Sequence, residues 1–485
     1  MQGSHDSRHR GWRSALGHFV QHIRDDWPAT IFVAAFMVLL ESQFGWLDAI
    51  NGHAFVAIGN VAGIPQTTGK DKPKALVVLI DRVAAESRYL DRSPLDRCEL
   101  ERDIDAIYSA MKNRLNLLVI DLDLSPARWL TTDLGHKKET ECQTRLYERI
   151  IKANTDGIRT VLMRPLESST PTGGEAWEKL ESVATFGHAV LPVEYGLVIR
   201  QYCKADTLAA SAYTLSSKLR GSRRNCIDEL TRHSKRDPEL IDPRQYLSGV
   251  VPVAVGSASG LAERLELELS ANKPSNSTAN SGDFKAIFFG AAFGESDTFV
   301  TPLGELYGVE IHAAAFLSLL DPLSTNNDRW EFLADIVFGF FFGIAINYFW
   351  ARYFKLRLSD DSDDVLWAPF MLVGLGLIVI IMAIVLTFVS LLLLTIFGIW
   401  ASPIPMAVGM LVESFVSGSV AQGIRTANDL KGVKTPQHDS FRKSAKMFFY
   451  GDFYEKLKKP KPRSASLVAF RLVVWTAVVS FALLH

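Results

Sequence analysis

The stretch Phe332–Trp350, FLADIVFGFFFGIAINYFW, is the first long apolar run after about 280 polar, mixed-charge residues. Its length is close to the about 20 residues that an α-helix needs to cross the hydrocarbon core of a bilayer. A weaker apolar run at 28–46 precedes the polar region and is bracketed by Trp27 and Trp46. This layout predicts one large folded domain on one face of a membrane, with a membrane segment at each of its ends.

Further apolar sequence follows in the C-terminal third. Within 367–420 the only charged residue is Glu413, and this length suits a hairpin of two membrane spans. A last, marginal span is predicted at 467–484. No small-residue cleavage site follows 28–46, so we interpret that segment as an uncleaved signal anchor. The sequence therefore predicts a bundle of about five transmembrane helices.

The distribution of basic residues predicts the orientation of these helices. Arginines are concentrated in the basic arm 1–27, and Lys and Arg recur in the loop 351–366. The segment 421–466 carries 11 Lys/Arg against 4 Asp/Glu. Because cytoplasmic loops are enriched in Lys and Arg, all three segments are predicted to be cytoplasmic, and 47–330 extracytoplasmic. We therefore expect a multi-pass protein of a bacterial inner membrane.

All four cysteines lie in the predicted outer domain: Cys98, Cys142, Cys203 and Cys226. An even number confined to the oxidising side of a membrane suits disulfide bonds. Sequence alone allows three connectivities, among which we predict Cys98–Cys142 with Cys203–Cys226. Four buried free thiols are the alternative, because free cysteine is among the most buried residue types.

The outer domain alternates short apolar runs with amphipathic ones, which predicts an α/β fold around a central, mostly parallel sheet. The predicted strands are Ala75–Asp81, Leu117–Asp123, Arg159–Arg164, Ala189–Val193, Gly196–Gln201 and Lys285–Gly290. The predicted helices are Cys98–Lys112, Thr144–Asn154, Gly174–Phe186, Thr207–Leu219 and Val309–Leu320.

Several stretches of this domain follow a pattern known from sensory proteins. They are Val77–Asp81, Arg92–Arg97, Leu118–Asp123, Lys285–Ala292, Asp297, Thr301–Gly304 and Gly308–Ala313. In these stretches the domain resembles the second CHASE family, the extracellular sensory domains associated with cyclases and histidine kinases. Together with one span before the domain and three after it, the resemblance covers about 47–422. It implies a sensing function, and a homodimer by family analogy.

The chain departs from the family pattern in three respects. Ser93-Pro94 replaces the usual tryptophan-proline pair before the first helix, and the cysteines and a long middle excursion are additions. The usual cytoplasmic kinase, cyclase or diguanylate-cyclase module is missing, and an extra span takes its place. The resemblance thus implies sensing without the usual output chemistry.

Three aspartates, Asp81, Asp121 and Asp123, end neighbouring predicted strands. Ligands of open α/β sheets bind beyond the carboxyl ends of the strands, so these carboxylates are candidates for holding a cation or a polar ligand. The alternative is that they accept backbone N–H groups at turns.

Basic and turn residues complete the set of candidates. Arg92 and Arg97, with Arg164, could face an anionic ligand, because a guanidinium fork matches anionic groups. Arg97 could instead pair with one of the aspartates. Asp297 and Thr301 belong to the resemblance, but Asp, Thr, Pro and Gly in that order are foremost a turn pattern.

The sequence contains no zinc-protease, nucleophile-elbow or Cys-x-x-Cys motif, so we predict no enzyme activity and no cofactor. Near-zero net charge gives no reason to expect nucleic-acid binding. The expected function is that of a membrane-integral sensory subunit whose output belongs to a separate cytoplasmic partner, with membrane lipids around its helices. A structural or pore-forming subunit of a larger complex is the alternative.

Overall fold

The computed structural model describes residues 46–62, 73–92, 94–112, 114–126, 134–165, 175–202, 206–219, 239–242, 245–257, 260–271, 284–294, 297–321, 325–357 and 362–416. The chain divides into two compact units. The α/β unit comprises Ala62–Ser324, and the helical unit comprises Met1–Val61 together with Thr325–His485.

The α/β unit is built on a six-stranded sheet in which all neighbouring strands run parallel. The strand order is β4-β3-β2-β10-β1-β9. The strands are β1 Lys74–Asp81, β2 Leu117–Asp121, β3 Arg159–Met163, β4 Thr185–Gly187, β9 Val250–Ala254 and β10 Phe284–Ala292. The predicted parallel sheet is therefore confirmed, and four of its six strands match predicted ones.

Two predicted strands do not join this sheet. Residues 189–192 form no strand, and β4 instead overlaps the last two residues of the predicted helix Gly174–Phe186. Residues 196–201 contribute only two short strands to smaller sheets. These smaller sheets contain β5 Val193–Glu194, β6 Leu197–Val198, β7 Arg200–Gln201, β8 Glu239–Leu240, β11 Thr298–Thr301 and β12 Gly304–Tyr307.

Sequence reasoning missed β9, which contains Pro252. Proline cannot donate to the hydrogen-bond ladder and argues against a central strand. In the structure β9 is an edge strand that pairs only with β1, so one side of its backbone needs no partner strand. The position of Pro252 is thus compatible with the sheet only because β9 is at the edge.

Both faces of the sheet are covered, which explains the continuous apolar runs of its strands. Leu76, Val78 and Ile80 of β1 pack into one buried cluster, whereas Ala75 and Val77 pack into the other. The first face carries α3 Arg97–Met111, α4 Leu134–Thr155, α5 Glu175–Val183 and α7 Leu261–Ala271, and the second carries α6 Leu208–Leu219 and α8 Gly308–Leu320. A short helix, α2 Arg82–Ser87, follows β1 directly.

The connections that cross the first face of the sheet all run in one direction, and the return connection crosses the second face. The crossovers β1-α3-β2, β2-α4-β3 and β9-α7-β10 all advance toward β4 over the first face, while α6 on the second face precedes the return to β9. This arrangement is the one that a single crossover handedness produces. At the carboxyl edge of the sheet, β10 leads to α8 on the second face. Its neighbours β1 and β2 lead to α3 and α4 on the first face.

In the helical unit the described helices are α1 Trp46–Ala62, α9 Thr325–Arg357, α10 Ser362–Phe397 and α11 Pro403–Val416. Two stretches of them are long and apolar enough to cross a membrane by length and composition, Arg329–Trp350 and Trp367–Phe397. The described residues thus hold two such helices and not the predicted five. The predicted spans 28–46, apart from Trp46, and 467–484 lie outside the described residues.

Two helices occupy the described part of the predicted hairpin 367–420: α10, with 36 residues, and α11, with 14 in the described range. The turn between them includes Gly398, whose φ of +71° is readily adopted only by glycine. Pro403 is the first residue of α11, a position where its missing N–H costs no helical hydrogen bond.

A testable consequence concerns Gly290, where β10 passes beneath the first turn of α8. A Cβ atom at this position would lie 2.8 Å from Cβ of Val309 and 3.3 Å from Cβ of Asp121. We expect Gly290→Ala to destabilise the protein by about 1–3 kcal/mol through overpacking, measured as a lower melting temperature in detergent. Gly376→Ala on α10 is the control, because its Cβ would meet nothing within 4 Å. Equal melting temperatures for the two variants would contradict this packing.

Candidate functional site

The candidate site lies at the carboxyl edge of the parallel sheet, around the end of β10. Register places Leu79 of β1 and Asp121 of β2 on either side of Gly290. Because the chain leaves β10 toward one face and β1 and β2 toward the other, a crevice is expected at this point. The structure has a cleft of about 400 Å³ beside it. Its lining residues are Arg92, Pro94, Leu95, Arg97, Leu100, Leu122, Asp123, Ser125, Ala291 and Phe293.

Arg97, the first residue of α3, lies in the cleft wall with only 3% of its surface exposed. Its Nη1 donates to the carbonyl oxygen of Asp123 and its Nη2 to that of Ser125, each at 3.1 Å. The guanidinium thus holds the loop after β2 through two neutral carbonyls. Burial lowers the pKa of Arg97, while the charges of Asp123 and Glu139 act to raise it. No ion pair joins Arg97 to a carboxylate among the described residues.

Arg92 stands at the mouth of the cleft. Half of its side chain is exposed, and its Nη1 lies 3.8 Å from Oε1 of Glu139. The two residues before it, Leu90 and Asp91, have φ values of 53° and 50°, which non-glycine residues seldom adopt. Such backbone strain persists only where neighbouring contacts enforce it.

A polar network beneath this loop supplies those contacts. Arg88 bridges two acids of α3, with its Nη2 at 3.0 Å from Glu99 and 2.7 Å from Asp103. The hydroxyl of Tyr89 donates to the other oxygen of Asp103 at 2.6 Å. Burial raises the pKa of Tyr89 well above its usual range, so this hydroxyl remains a donor. Sequence reasoning missed the network, although Arg88 and Tyr89 lie only four and three residues before the candidate Arg92.

Two of the three predicted aspartates serve the backbone. Oδ1 of Asp81 accepts from the N–H groups of Ala84, at 3.4 Å, and Gly256, at 2.9 Å, which caps α2 and ties the loop after β9 to β1. Oδ1 of Asp123 accepts from the N–H of Ser125 at 2.8 Å. Asp81 and Asp123 thus accept backbone N–H groups at turns, and Asp123 also lines the cleft.

Asp121 differs from the other two, since no described residue donates a hydrogen bond to its carboxylate. Burial raises its pKa to about 7. Burial also raises the pKa of Asp297 to about 7, with a further contribution from the charge of Asp121. The structure therefore brings these two predicted candidates together as neighbouring carboxyl groups at the sheet edge.

The space for the two carboxyl groups depends on two glycines, Gly308 at the start of α8 and Gly290 in β10. A Cβ on Gly308 would lie 2.8 Å from Oδ1 of Asp297, so only glycine leaves room for this carboxylate. Because Gly290 has no side chain, Asp121 and Val309 can both pack against its backbone. In the first turn of α8, Oε2 of Glu310 accepts from the N–H of Tyr307 at 3.0 Å.

Thr301, the remaining predicted candidate, is a turn residue. It is fully buried, and its hydroxyl donates to the carbonyl oxygen of Gly304 at 2.8 Å while accepting from the N–H of Leu303 at 3.3 Å. These bonds close the hairpin between β11 and β12. Arg164, at the end of β3, is exposed and does not line the cleft.

Cys98 and Cys142 form a disulfide bond, as predicted. The bond joins the first turn of α3 to α4, one residue after Arg97. An ion pair between Arg145 and Glu101, with atoms 2.7 Å apart, joins the same two helices. Cys203 and Cys226 lie outside the described residues, and their predicted bond stays a prediction.

Metal binding at the aspartates finds no support, since the described residues contain no group of three or more His, Cys, Asp or Glu that could hold an ion. His312 in α8 is buried, and burial lowers its pKa to about 4. It is therefore a neutral core residue.

The helical unit contains a buried polar cluster that sequence reasoning also missed. The Ile399–Ser402 turn before α11 is hydrogen-bonded to side chains of three helices: Asn51 of α1, Asp335 of α9 and Ser390 of α10. Oδ1 of Asp335 accepts from the N–H of Ser402 at 2.6 Å, and Nδ2 of Asn51 donates to the carbonyl oxygen of Ala401 at 2.8 Å. An ionisable residue inside the predicted span 332–350 was the available signal. The cluster satisfies backbone groups of a turn, a requirement that is strict in lipid.

No family model, no curated protein and no solved structure matches this chain. The resemblance to the second CHASE family stays a prediction from the sequence.

Proposed function

We propose that this chain is a membrane-integral sensory subunit whose α/β unit binds a ligand outside the cytoplasm, and whose response is carried by a separate cytoplasmic partner. The observation that carries the proposal is the cleft at the carboxyl edge of the sheet, with the buried Arg97 in its wall. A concave, mostly apolar cleft with a few convergent polar groups is the usual form of a small-molecule site.

The exposed face of α10 supports the membrane placement. Large apolar side chains along one face are more than half exposed, namely Phe370, Val373, Leu377, Ile380, Ile381, Ile384 and Val385. The exposed stripe runs from Trp367 to Phe388, a rise of about 30 Å, which equals the thickness of the hydrocarbon core. Soluble proteins rarely expose so long an apolar patch, so lipid is the environment that suits it.

The disulfide supports the placement of the α/β unit on the oxidising side. Disulfide bonds persist in the periplasm and outside the cell and are rare in the cytosol. The basic segments that flank the predicted spans indicate the same orientation.

Chain connectivity supports a sensing role. The helix α8 begins at Gly308, next to the carboxylate of Asp297, and ends at Leu320. Only four residues separate it from α9, which contains the apolar stretch Arg329–Trp350. A change in the carboxyl pair would thus act on the helix that continues toward the membrane segment. Such signalling requires a ligand whose affinity differs between two states of the unit.

The membrane placement is tested by spin labels at two exposed positions. The labels replace Ile381, at the middle of α10 and 53% exposed, and Lys179 of α5, whose side chain is 64% exposed. The parent chain has Cys203 and Cys226 replaced by serine. In lipid nanodiscs the label at 381 should relax with oxygen and not with a water-soluble nickel chelate, and the label at 179 should show the reverse. Chelate access at 381 equal to that at 179 would refute a lipid-facing α10.

The sensory role is tested by purification from native membranes and by flux in liposomes. A stoichiometric cytoplasmic enzyme that copurifies with the chain is the expected result, because the proposal assigns the output to a separate cytoplasmic partner. Ion flux through the purified chain alone would contradict the sensory role and favour the pore-forming alternative.

A further inference from the structure

We propose that the cleft beside β10 binds a small organic carboxylate with an apolar body, whose charged end meets Arg97 and Arg92. This inference rests on the proposed function, for which it supplies the chemical class of the ligand.

The first argument is the state of Arg97. A buried cation is normally paired with an anion, because removing charge from water is costly. Among the described residues, Arg97 bonds only to the carbonyl oxygens of Asp123 and Ser125, and its buried Nε has no hydrogen-bond partner. The guanidinium therefore lines the cleft with donor capacity left over and without a carboxylate in contact. An anion in the cleft would supply the negative charge that no described carboxylate supplies to Arg97.

The second argument is the arrangement of Arg92. Its contact with Glu139 is long, at 3.8 Å, and half of the side chain is exposed, so it can turn toward a bound anion at little cost. The network of Arg88 with Glu99 and Asp103 fixes the preceding loop and keeps Arg92 at the cleft mouth. Two guanidinium groups, one buried and one exposed, thus belong to the same cleft.

The third argument is the composition of the remaining wall. It consists mostly of apolar side chains, namely Pro94, Leu95, Leu100, Leu122, Ala291 and Phe293. Inorganic phosphate would leave this surface uncovered. The carboxylate of Asp123, which also lines the cleft, repels a ligand that carries several negative charges. A ligand with one anionic group and an apolar body matches both the guanidinium groups and the apolar lining of the cleft.

The test uses the full chain in nanodiscs and calorimetric titration. The probes are phenylacetate and hexanoate, each paired with its uncharged primary amide, together with inorganic phosphate. We expect at least one carboxylate to bind and its amide to bind at least about tenfold more weakly, because only the carboxylate carries the negative charge that forms an ion pair with the guanidinium groups.

Variants locate the binding. Arg92→Gln should weaken carboxylate binding roughly tenfold to a hundredfold, in line with the loss of a charged hydrogen bond at the cleft mouth. Arg102→Gln is the matched control, since Arg102 is exposed on α3, pairs with Glu99 at 2.9 Å and does not line the cleft. It should leave the affinity unchanged.

The outcomes separate this inference from the proposed function. Failure of both carboxylates, equal binding of acid and amide, or equal losses in the two variants would overturn the carboxylate class. Phosphate binding that Arg92→Gln abolishes would also overturn it, while leaving a ligand-binding sensor intact. The sensory role itself falls only through the purification and flux experiments.

Discussion

Replacing Asp121 by asparagine should stabilise the α/β unit by roughly 3 kcal/mol at about pH 8, because a carboxylate that no described residue hydrogen-bonds must ionise in a partly buried site. Its folded pKa of about 7 lies well above the ordinary value of 3.8. The folded state therefore binds more protons than the unfolded state between these two values. The contribution to stability is fully present below about pH 4 and is lost as the pH rises through about 7.

Asp297 adds to the same trend. Burial and the charge of Asp121 both raise its pKa, to about 7. In the Asp121→Asn variant the repulsion disappears, so the pKa of Asp297 should fall. The variant should therefore show a flatter dependence of unfolding free energy on pH than the natural chain.

Denaturant unfolding of the full chain in detergent, followed across about pH 5 to 9, measures both effects. Asp156→Asn is the control, because Asp156 is an exposed carboxylate in the turn after α4. It should reproduce the pH profile of the natural chain. An Asp121→Asn variant that is no more stable than the natural chain at about pH 8 would refute a desolvated carboxyl pair at the sheet edge.

Loss of the Cys98–Cys142 bond should destabilise the α/β unit by roughly 3–4 kcal/mol. The two cysteines are 44 residues apart, and a cross-link of this span restricts the unfolded chain by about that amount. The double replacement of both cysteines by serine, or reduction of the natural chain, should lower the melting temperature in detergent. Reductant should then have no further effect on the double variant.

Arg145→Gln is the matched control for the disulfide. It removes the ion pair with Glu101 from the same pair of helices, α3 and α4, but exposed ion pairs contribute only about 0–1 kcal/mol. A melting temperature that does not respond to reductant would show that the bond contributes nothing to stability. Because Cys98 directly follows Arg97, reduction of the disulfide should also weaken the binding of a carboxylate probe in the cleft.

The sheet could largely be predicted from its apolar runs. Strands buried on both faces appear in the sequence as continuous Val, Ile and Leu segments, which identified β1, β2, β3 and β10 with errors of one or two residues. The edge strands were the failures. In β9 a proline argued against a strand, and β4 has only three residues, too few for a periodic signal.

The candidate site could be predicted as a region but not as a set of contacts. The position of Asp81, Asp121 and Asp123 at strand ends placed them at one edge. The hydrogen-bond partners of each carboxylate depend on which loop lies next to it. Asp81, for example, accepts from the N–H of Gly256 in the loop after β9. The pairing of Asp121 with Asp297 spans much of the chain and arises because β10 inserts between β1 and β2.

Hydropathy predicted the apolar segments of the helical unit, but it could not predict the contacts that form the turn between α10 and α11. The apolar run 367–420 allowed several positions for its turn, and hydropathy alone does not distinguish them. The observed turn at 398–402 depends on bonds from Asp335, Asn51 and Ser390 to that turn, contacts between segments far apart in sequence.

The central claim is that the α/β unit lies outside the cytoplasm. The most direct test is to label Lys179→Cys, in the chain that lacks Cys203 and Cys226, with a membrane-impermeant maleimide in intact spheroplasts. Our account predicts full labelling before lysis and no increase after it. Labelling that appears only once the membrane is broken would contradict the account.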